Sequence, residues 1–140
     1  MLVWLVLLCP LAGAVLNGLF LPKHNKRLSH AIAVAGVGFS FLAALPLFAS
    51  LWEDGTESIH LAYSWIRAGE LDIGLECVID RLSGVMLLIV TGIGSLIHIY
   101  AGGYMDEEKT TARFFSYLNL FIFMMLLLVL GNNMLVMFIG

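Results

Sequence analysis

Charged residues are scarce in this sequence, and its long apolar stretches contain none. Lysine, arginine, aspartate and glutamate make up 12% of the chain, against about 25% in a typical soluble domain. All of them fall within three segments, at residues 23–27, 53–81 and 106–113. Hydrophobic residues make up 61%, and the mean hydropathy is +0.98. This segregation excludes a soluble globular domain and indicates an integral membrane protein.

The sequence also lacks the motifs of common catalytic and binding sites. It has two cysteines, Cys9 in an apolar run and Cys77 in a charged segment, a placement that predicts neither a disulfide framework nor a metal site. It contains no glycine-rich phosphate loop, no HExxH and no CxxC, and no basic patch interleaved with aromatic residues that would bind nucleic acid. We therefore expect no catalytic residue, cofactor-binding residue or metal ligand in this chain, and no nucleic-acid partner.

Four uncharged runs are long enough to cross a bilayer, which takes about 20 residues. Because a helix satisfies every backbone hydrogen bond within lipid, the sequence predicts an all-α integral membrane bundle in which Pro10 and Pro46 kink two helices. The first run is not a signal peptide, since its basic residues follow the apolar stretch instead of preceding it. The predicted helices span about residues 2–21, 28–52, 82–104 and 114–130, and a fifth helix begins at about 134–140.

The distribution of lysine and arginine predicts the orientation of the helices. The segment at residues 22–27 carries three basic residues and no acid, so it should face the cytoplasm. The N-terminus and the acidic segment at 53–81 would then lie outside, and residues 105–113 inside. The loop at 105–113 supports this only weakly, because its two basic residues are accompanied by three acids.

The outer segment predicts a β-hairpin at about residues 58–80. Apolar and other residues alternate from Ile59 to Trp65, and the alternation resumes from Leu71 to Ile79 after a short link that contains Gly69. Period-two alternation on both sides of a short glycine-containing link is typical of a hairpin with one apolar face. An isolated hairpin is marginally stable in water, so we expect the apolar face to pack on the outer surface of the bundle.

His98 is the ionisable side chain placed well inside a predicted span. Ionisable groups within the membrane are candidates for function, and histidine titrates near neutral pH, which makes His98 a weak candidate for a proton path. The favoured interpretation is structural: a histidine near the inner interface, hydrogen-bonded to Tyr100, to Asn119 or to a neighbouring subunit. Asn17 and Asn119 are predicted to bond across helices, and Asp80 is predicted to cap the third helix.

Two segments resemble a known family closely. IDRLSGVMLLIVTGIGSLIHIYAGGYM, at residues 79–105, and ARFFSYLNLFIFMMLLLVLGNNMLVMFIG, at 112–140, resemble antiporter-like subunit L of complex I, the proton-pumping NADH:quinone oxidoreductase, whose mitochondrial counterpart is chain 5. The first helices and the hairpin are similar to the start of the same family. The resemblance implies the N-terminal portion of a membrane-arm proton-translocating subunit in the inner membrane of a bacterium.

The resemblance also implies where the chemistry lies. In the family, a segment like residues 132–140 continues into a Trp-Glu pair of the proton path, which has no counterpart here, so no proton-carrying residue is carried over. The segment would support the proton channel as a scaffold, as part of an oxidoreductase whose NADH, FMN, iron–sulfur clusters and quinone lie in other subunits. Its partners would be other membrane-arm subunits, membrane lipids and the remainder of its own subunit, as a separate chain or as the rest of a longer one.

Two alternatives remain open from the sequence. Related subunits occur in multi-subunit sodium/proton antiporters and in membrane-bound hydrogenases, although the ARFFSYLNLF segment favours complex I. A free-standing four-helix membrane module for assembly would also account for the lack of catalytic residues.

Overall fold

The fold is dominated by long helices, as expected for a membrane bundle. The computed structural model describes residues 2–20, 25–53, 58–68, 71–105, 110–132 and 134–140. The α-helices are α1 (Leu2–Val15), α2 (Lys26–Glu53), α3 (Arg81–Tyr104), α4 (Thr111–Leu130) and α5 (Met134–Ile139), and a π-helical turn (Leu16–Phe20) continues α1. Within these described ranges, four helices are long and apolar enough to cross a membrane, which confirms the predicted set of four spans. Predictions that involve residues 21–24, 69–70, 106–109 and Asn133 lie outside the described residues.

Helix α1 continues through Pro10 because α2 provides a hydrogen bond that the proline cannot make. Proline has no N–H, so the carbonyl four residues earlier, that of Val6, loses its partner within the helix. Ser40 of α2 donates its hydroxyl to this carbonyl at 2.7 Å, and both groups are buried. The proline in α1 and the serine in α2 therefore belong to one contact that fixes the two helices against each other.

The C-terminal part of the first span departs from the regular helix that the sequence predicted. Residues Leu16–Phe20 form a π-helical turn, which widens the helix and is often found at functional sites. Ser116 of α4 donates its hydroxyl to the Ala14 carbonyl at 2.8 Å, just before this turn. The turn contains Asn17, whose side chain is buried.

Small residues bring the helices into close contact. A methyl group on Gly36 would lie 3.1 Å from the Cys9 carbonyl, and one on Gly94 would lie 2.8 Å from Ile122. Helix α2 packs against α1, α3 and α4. The main apolar core forms between them and includes Val6, Val37, Leu51, Leu87, Leu126 and Leu130.

Two strands lie between α2 and α3. Strand β1 (Ser58–Ala68) pairs antiparallel with β2 (Leu71–Asp80), in a register that places Ile59 opposite Ile79 and Leu61 opposite Cys77. Cys77 and Ile79 are buried in the core, and Cys77 forms an isolated bridge with Gly131 at the end of α4. The end of β2 is thus anchored to the helices.

Asp80 ends β2 and caps α3, as predicted. Its carboxylate accepts the Ser83 backbone N–H at 2.7 Å, and the Ser83 hydroxyl accepts the Asp80 backbone N–H at 3.2 Å, which completes a capping box. The Ser83 hydroxyl and the Ser83 backbone N–H both donate to the Asp80 carboxylate, and these two hydrogen bonds lower the pKa of the carboxyl. The strand–helix junction is therefore fixed by the two residues themselves.

Candidate functional site

His98 is fully buried within the helices of this chain. It lies on α3 with an exposed fraction of 0%, about 9 Å from the end of the helix at Tyr104. Its Nδ1 lies 2.7 Å from the Gly94 carbonyl. A carbonyl can only accept, so Nδ1 carries the proton and donates. In the neutral ring, the lone pair is consequently on Nε2.

The Nε2 atom of His98 faces an asparagine with unused hydrogen-bonding capacity. Asn119 of α4 is fully buried beside the His98 ring. Among the described residues, Nε2 of His98 and both amide atoms of Asn119 form no hydrogen bond. A methyl group on Gly13 of α1 would lie 2.7 Å from Asn119 Nδ2. A glycine at position 13 is therefore needed for the amide to occupy this place.

A second histidine lies on the other side of the same cluster. His30 of α2 donates from Nε2 to the His98 backbone carbonyl at 3.1 Å. Its ring packs against Gly102, where a methyl group would overlap the imidazole. The Phe115 ring lies near both histidines, with centroids 5.3 Å from His30 and 6.2 Å from His98. The Phe115 ring thus packs beside both imidazoles.

Other polar groups in the spans are satisfied locally or in pairs. Ser29 donates its hydroxyl to Asn17 Oδ1 at 2.7 Å, as predicted for an asparagine bonding between helices. Thr91 and Ser95 donate to carbonyls of their own helix, four residues earlier. Unsatisfied buried groups are costly in a low-dielectric interior. In the described part of the chain they are Nε2 of His98, both amide atoms of Asn119 and Nδ2 of Asn17.

A cavity of about 230 Å³ lies at the end of the bundle that contains the basic residues. It is lined by Lys26, Arg27, His30, Gly102, Gly103 and Thr111, and so reaches the His30 ring. A second cavity of about 360 Å³ lies between α1 and α4. Its lining is mostly apolar and includes Gly18 and Leu120, with Arg113 and Ser116 as polar members.

The structure brings together some of the residues that the sequence pointed to and separates others. His98 and Asn119 are neighbours, whereas Tyr100 has an exposed fraction of 77% and points away from the cluster. Of the partners considered for His98, Asn119 is therefore the one beside its ring, and the hydrogen-bond partner of Nδ1 is the Gly94 carbonyl. His30 was not recognised as a site residue from the sequence, since it lies only three residues into the predicted second span, beside the basic segment. A useful sign was Gly102, because a small residue on α3 leaves space for a ring from an antiparallel neighbour.

The cluster has a limited chemical range. Its ionisable groups are two imidazoles, with amides and backbone carbonyls around them. It can bind and release protons at an imidazole nitrogen, and it can hold water by hydrogen bonds. Among the described residues, no group of three or more histidine, cysteine, aspartate or glutamate side chains could hold a metal ion.

Comparison with known proteins identifies the family. A family profile described as NADH-Ubiquinone oxidoreductase (complex I), chain 5 N-terminus, matches residues 65–115. NADH-quinone oxidoreductase subunit L from Rickettsia conorii is 39% identical over 137 residues, which cover 97% of this chain and 21% of the relative. Over nearly its whole length, this chain matches the N-terminal portion of subunit L.

Other members of the subunit L family are similarly related. The Mycobacterium tuberculosis subunit L is 41% identical over 145 residues, covering 98% of this chain and 22% of the relative. The Escherichia coli subunit L is 36% identical over 137 residues, covering 97% and 22%. The chain thus spans about a fifth of the length of the curated relatives it matches. With these bacterial relatives and four membrane-spanning helices, the subunit L segment is a multi-pass inner-membrane protein.

Proposed function

We propose that this chain is the N-terminal part of a membrane-arm proton-translocating subunit of a respiratory NADH:quinone oxidoreductase. The observation that carries the proposal is the match of nearly the whole chain to proteins named NADH-quinone oxidoreductase subunit L. It supports complex I over the related sodium/proton antiporters and hydrogenases, and over a free-standing assembly module. NADH, FMN, iron–sulfur clusters and quinone are bound by other subunits.

The segment acts mainly as a scaffold for the proton channel. The tight contacts at Gly36 and Gly94, the Ser40–Val6 bond and the Asp80 cap support this role, because they fix helix positions without using a charged group inside the spans. Large apolar side chains cover the outside of the bundle and provide surface for lipids, for the remainder of the subunit and for other membrane-arm subunits. They include Leu19, Phe39, Leu82, Leu96 and Phe121. His98 is the one proton-path candidate of the segment.

The N-terminus and the β1–β2 pair lie on the extracytoplasmic side, where the strands form a hairpin that covers the end of the bundle. Lys26 and Arg27 lie at the opposite end, beside the cavity with His30, and basic residues are retained in the cytoplasm. The acidic composition of residues 53–80 is compatible with this side. The anchoring of Cys77 and Ile79 in the core supports a hairpin that packs on the helices.

The proposed function is tested by deleting the gene for the full subunit and measuring membrane vesicles. We expect NADH-driven proton pumping to be lost or strongly reduced, while NADH oxidation with a soluble electron acceptor, which needs only the peripheral subunits, continues. Re-expression of the gene restores pumping. Full NADH-driven pumping in the deletion strain, together with loss of sodium/proton exchange, would instead assign the subunit to an antiporter.

A further inference from the structure

We propose that His98 and Asn119 form a proton-binding site inside the membrane, in which the Asn119 amide turns to serve either protonation state of His98. The hydrogen bond of the His98 ring decides which of its nitrogens takes up a proton. Nδ1 of His98 is committed as a donor to the Gly94 carbonyl at 2.7 Å, so Nε2 is the atom that takes up a proton. Since the ring is completely buried by this chain's own helices, this assignment does not depend on further segments or subunits.

The Asn119 amide can form a hydrogen bond with His98 in either protonation state. Asn119 has an acceptor oxygen and a donor nitrogen on the same planar group, and rotation about its last side-chain bond exchanges them. With neutral His98, Nδ2 donates to Nε2; with protonated His98, Oδ1 accepts from Nε2–H. Neither amide atom is held by another hydrogen bond among the described residues. Asn119 is therefore not locked in the orientation that suits only one state.

Charged and titratable groups lie around His98 and Asn119 on α2 and α4. His30 is the titratable group that faces His98 from α2, with Lys26 and Arg27 one turn earlier around the basic cavity. On α4, Arg113 lines the separate groove against α1. The described part of α1 contains the Cys9 thiol but no aspartate, glutamate, lysine, arginine or histidine. A proton on His98 is therefore not trapped by a nearby carboxylate, and it can be released again.

The basic cavity lies next to the site. It reaches His30, whose Nε2 is bonded to the backbone of His98 itself. This proposal does not depend on the proposed pumping function, because proton binding at His98 is measured by spectroscopy and not by an activity assay.

The test is a pH titration of the intact complex by infrared difference spectroscopy. The wild-type spectrum minus that of His98→Gln isolates the His98 ring bands. We expect these bands to change from imidazole to imidazolium between about pH 9 and pH 5, together with a shift of a side-chain amide band. A His98 ring that stays neutral through this range would overturn the proposal.

Asn119→Leu tests the second half of the proposal. Removing the acceptor for Nε2–H should lower the proton affinity of His98 about ten- to a hundredfold and abolish the coupled amide shift. Asn17→Leu is the matched control, because it removes another buried asparagine amide but one bonded to Ser29, and it should leave the affinity unchanged. An unchanged affinity in Asn119→Leu would refute the role of the amide.

Assembly of each variant is checked on native gels before titration. If His98→Gln fails to assemble, the wild type minus Asn119→Leu difference spectrum contains the same ring bands, displaced in pH. If Asn119→Leu fails as well, Asn119→Ser provides a smaller polar side chain beside Gly13. The proposal is refuted if the His98 ring titrates in Asn119→Ser as it does in the wild type, with the same amide shift.

Discussion

At the residue scale, Gly102 determines where His30 lies. The imidazole occupies the space that a side chain at Gly102 would fill, whereas a methyl group on the next residue, Gly103, would contact nothing within 4 Å. Both residues are in α3, so replacement by alanine adds the same helix propensity at each position, roughly 0.5–1 kcal/mol. The pair therefore separates the effect of crowding from that of backbone entropy.

We predict that Gly102→Ala destabilises the complex and Gly103→Ala does not. Crowding in a packed interior costs about 1–3 kcal/mol, and displacement of His30 also breaks its hydrogen bond to the His98 carbonyl. The measurement is the melting temperature of the purified complex for the two variants. Equal melting temperatures would show that His30 moves aside without loss and that the contact does not position it.

The candidate site was only partly predictable from the sequence. His98 could be found because an ionisable residue within an apolar run stands out whichever face of the helix it occupies. Asn119 could be named only as one of three possible partners, because its contact with His98 depends on which face α4 turns inward and on the absence of a side chain at Gly13. His30 was overlooked because it lies at the very start of the predicted second helix, beside Lys26 and Arg27, and its contact with α3 leaves no local pattern.

At the scale of elements, α1 and α2 are joined at the break that Pro10 causes. The Ser40 hydroxyl takes the place of the missing N–H at the Val6 carbonyl. We predict that Ser40→Ala lowers the free energy of unfolding of the subunit by about 0.6–1.7 kcal/mol. In a Pro10→Ala background the loss should be smaller, because residue 10 then supplies its own N–H to Val6.

This double-mutant cycle is measured by unfolding the subunit in mixed micelles. Ser50→Ala is the control, since Ser50 is also on α2 but its hydroxyl bonds to Leu47 of the same helix, and its effect should not depend on Pro10. An equal loss for Ser40→Ala in both backgrounds would mean that the serine acts through packing and not by replacing the missing donor.

Helix α3 begins where it does because of the Asp80 cap. Asp80→Ala should destabilise the subunit by about 0.5–2 kcal/mol, and Asp80→Asn by less, because asparagine is also a good N-cap residue. The Ser83 hydrogen bonds lower the pKa of the carboxyl from its ordinary value of 3.8. The advantage of the ionised Asp80 over alanine is therefore complete above this value and is lost as the pH falls through the lowered pKa of the folded state.

The corresponding measurement is the unfolding free energy of wild type and Asp80→Ala in micelles between pH 7 and pH 3. The difference should be constant down to about pH 5 and shrink at the acid end. A difference that grows on acidification would contradict a cap that acts through the carboxylate.

The spans were more predictable than their ends and irregularities. Length and lack of charge suffice to find four membrane helices, because lipid admits few other backbone structures. The π-helical turn at Leu16–Phe20 was not foreseen. It coincides with Ser116 of α4 bonding Ala14 and Ser29 of α2 bonding Asn17, and such contacts between helices that are distant in sequence leave no local pattern.

At the scale of the whole molecule, the two ends of the bundle differ in chemistry. At one end, Trp52 has an exposed fraction of 66% and lies under the Arg81 guanidinium, 5.8 Å from the ring centroid. At the other end, the basic cavity is accompanied by the exposed Tyr104. Aromatic residues at both ends suit the two membrane interfaces, while lysine and arginine decide which end stays in the cytoplasm.

This asymmetry predicts the outcome of a labelling experiment on intact cells. A cysteine introduced at the exposed His60 of β1 should react with a membrane-impermeant maleimide added outside. One at the exposed Asn25, which leaves Lys26 and Arg27 in place, should react only after the cells are permeabilised. Native cysteines interfere little, because Cys9 lies in a span and burial raises the pKa of the Cys77 thiol, which keeps it in the unreactive form. Labelling of Asn25→Cys from outside, with His60→Cys protected, would reverse the proposed orientation and place the basic cavity and His30 on the extracytoplasmic side.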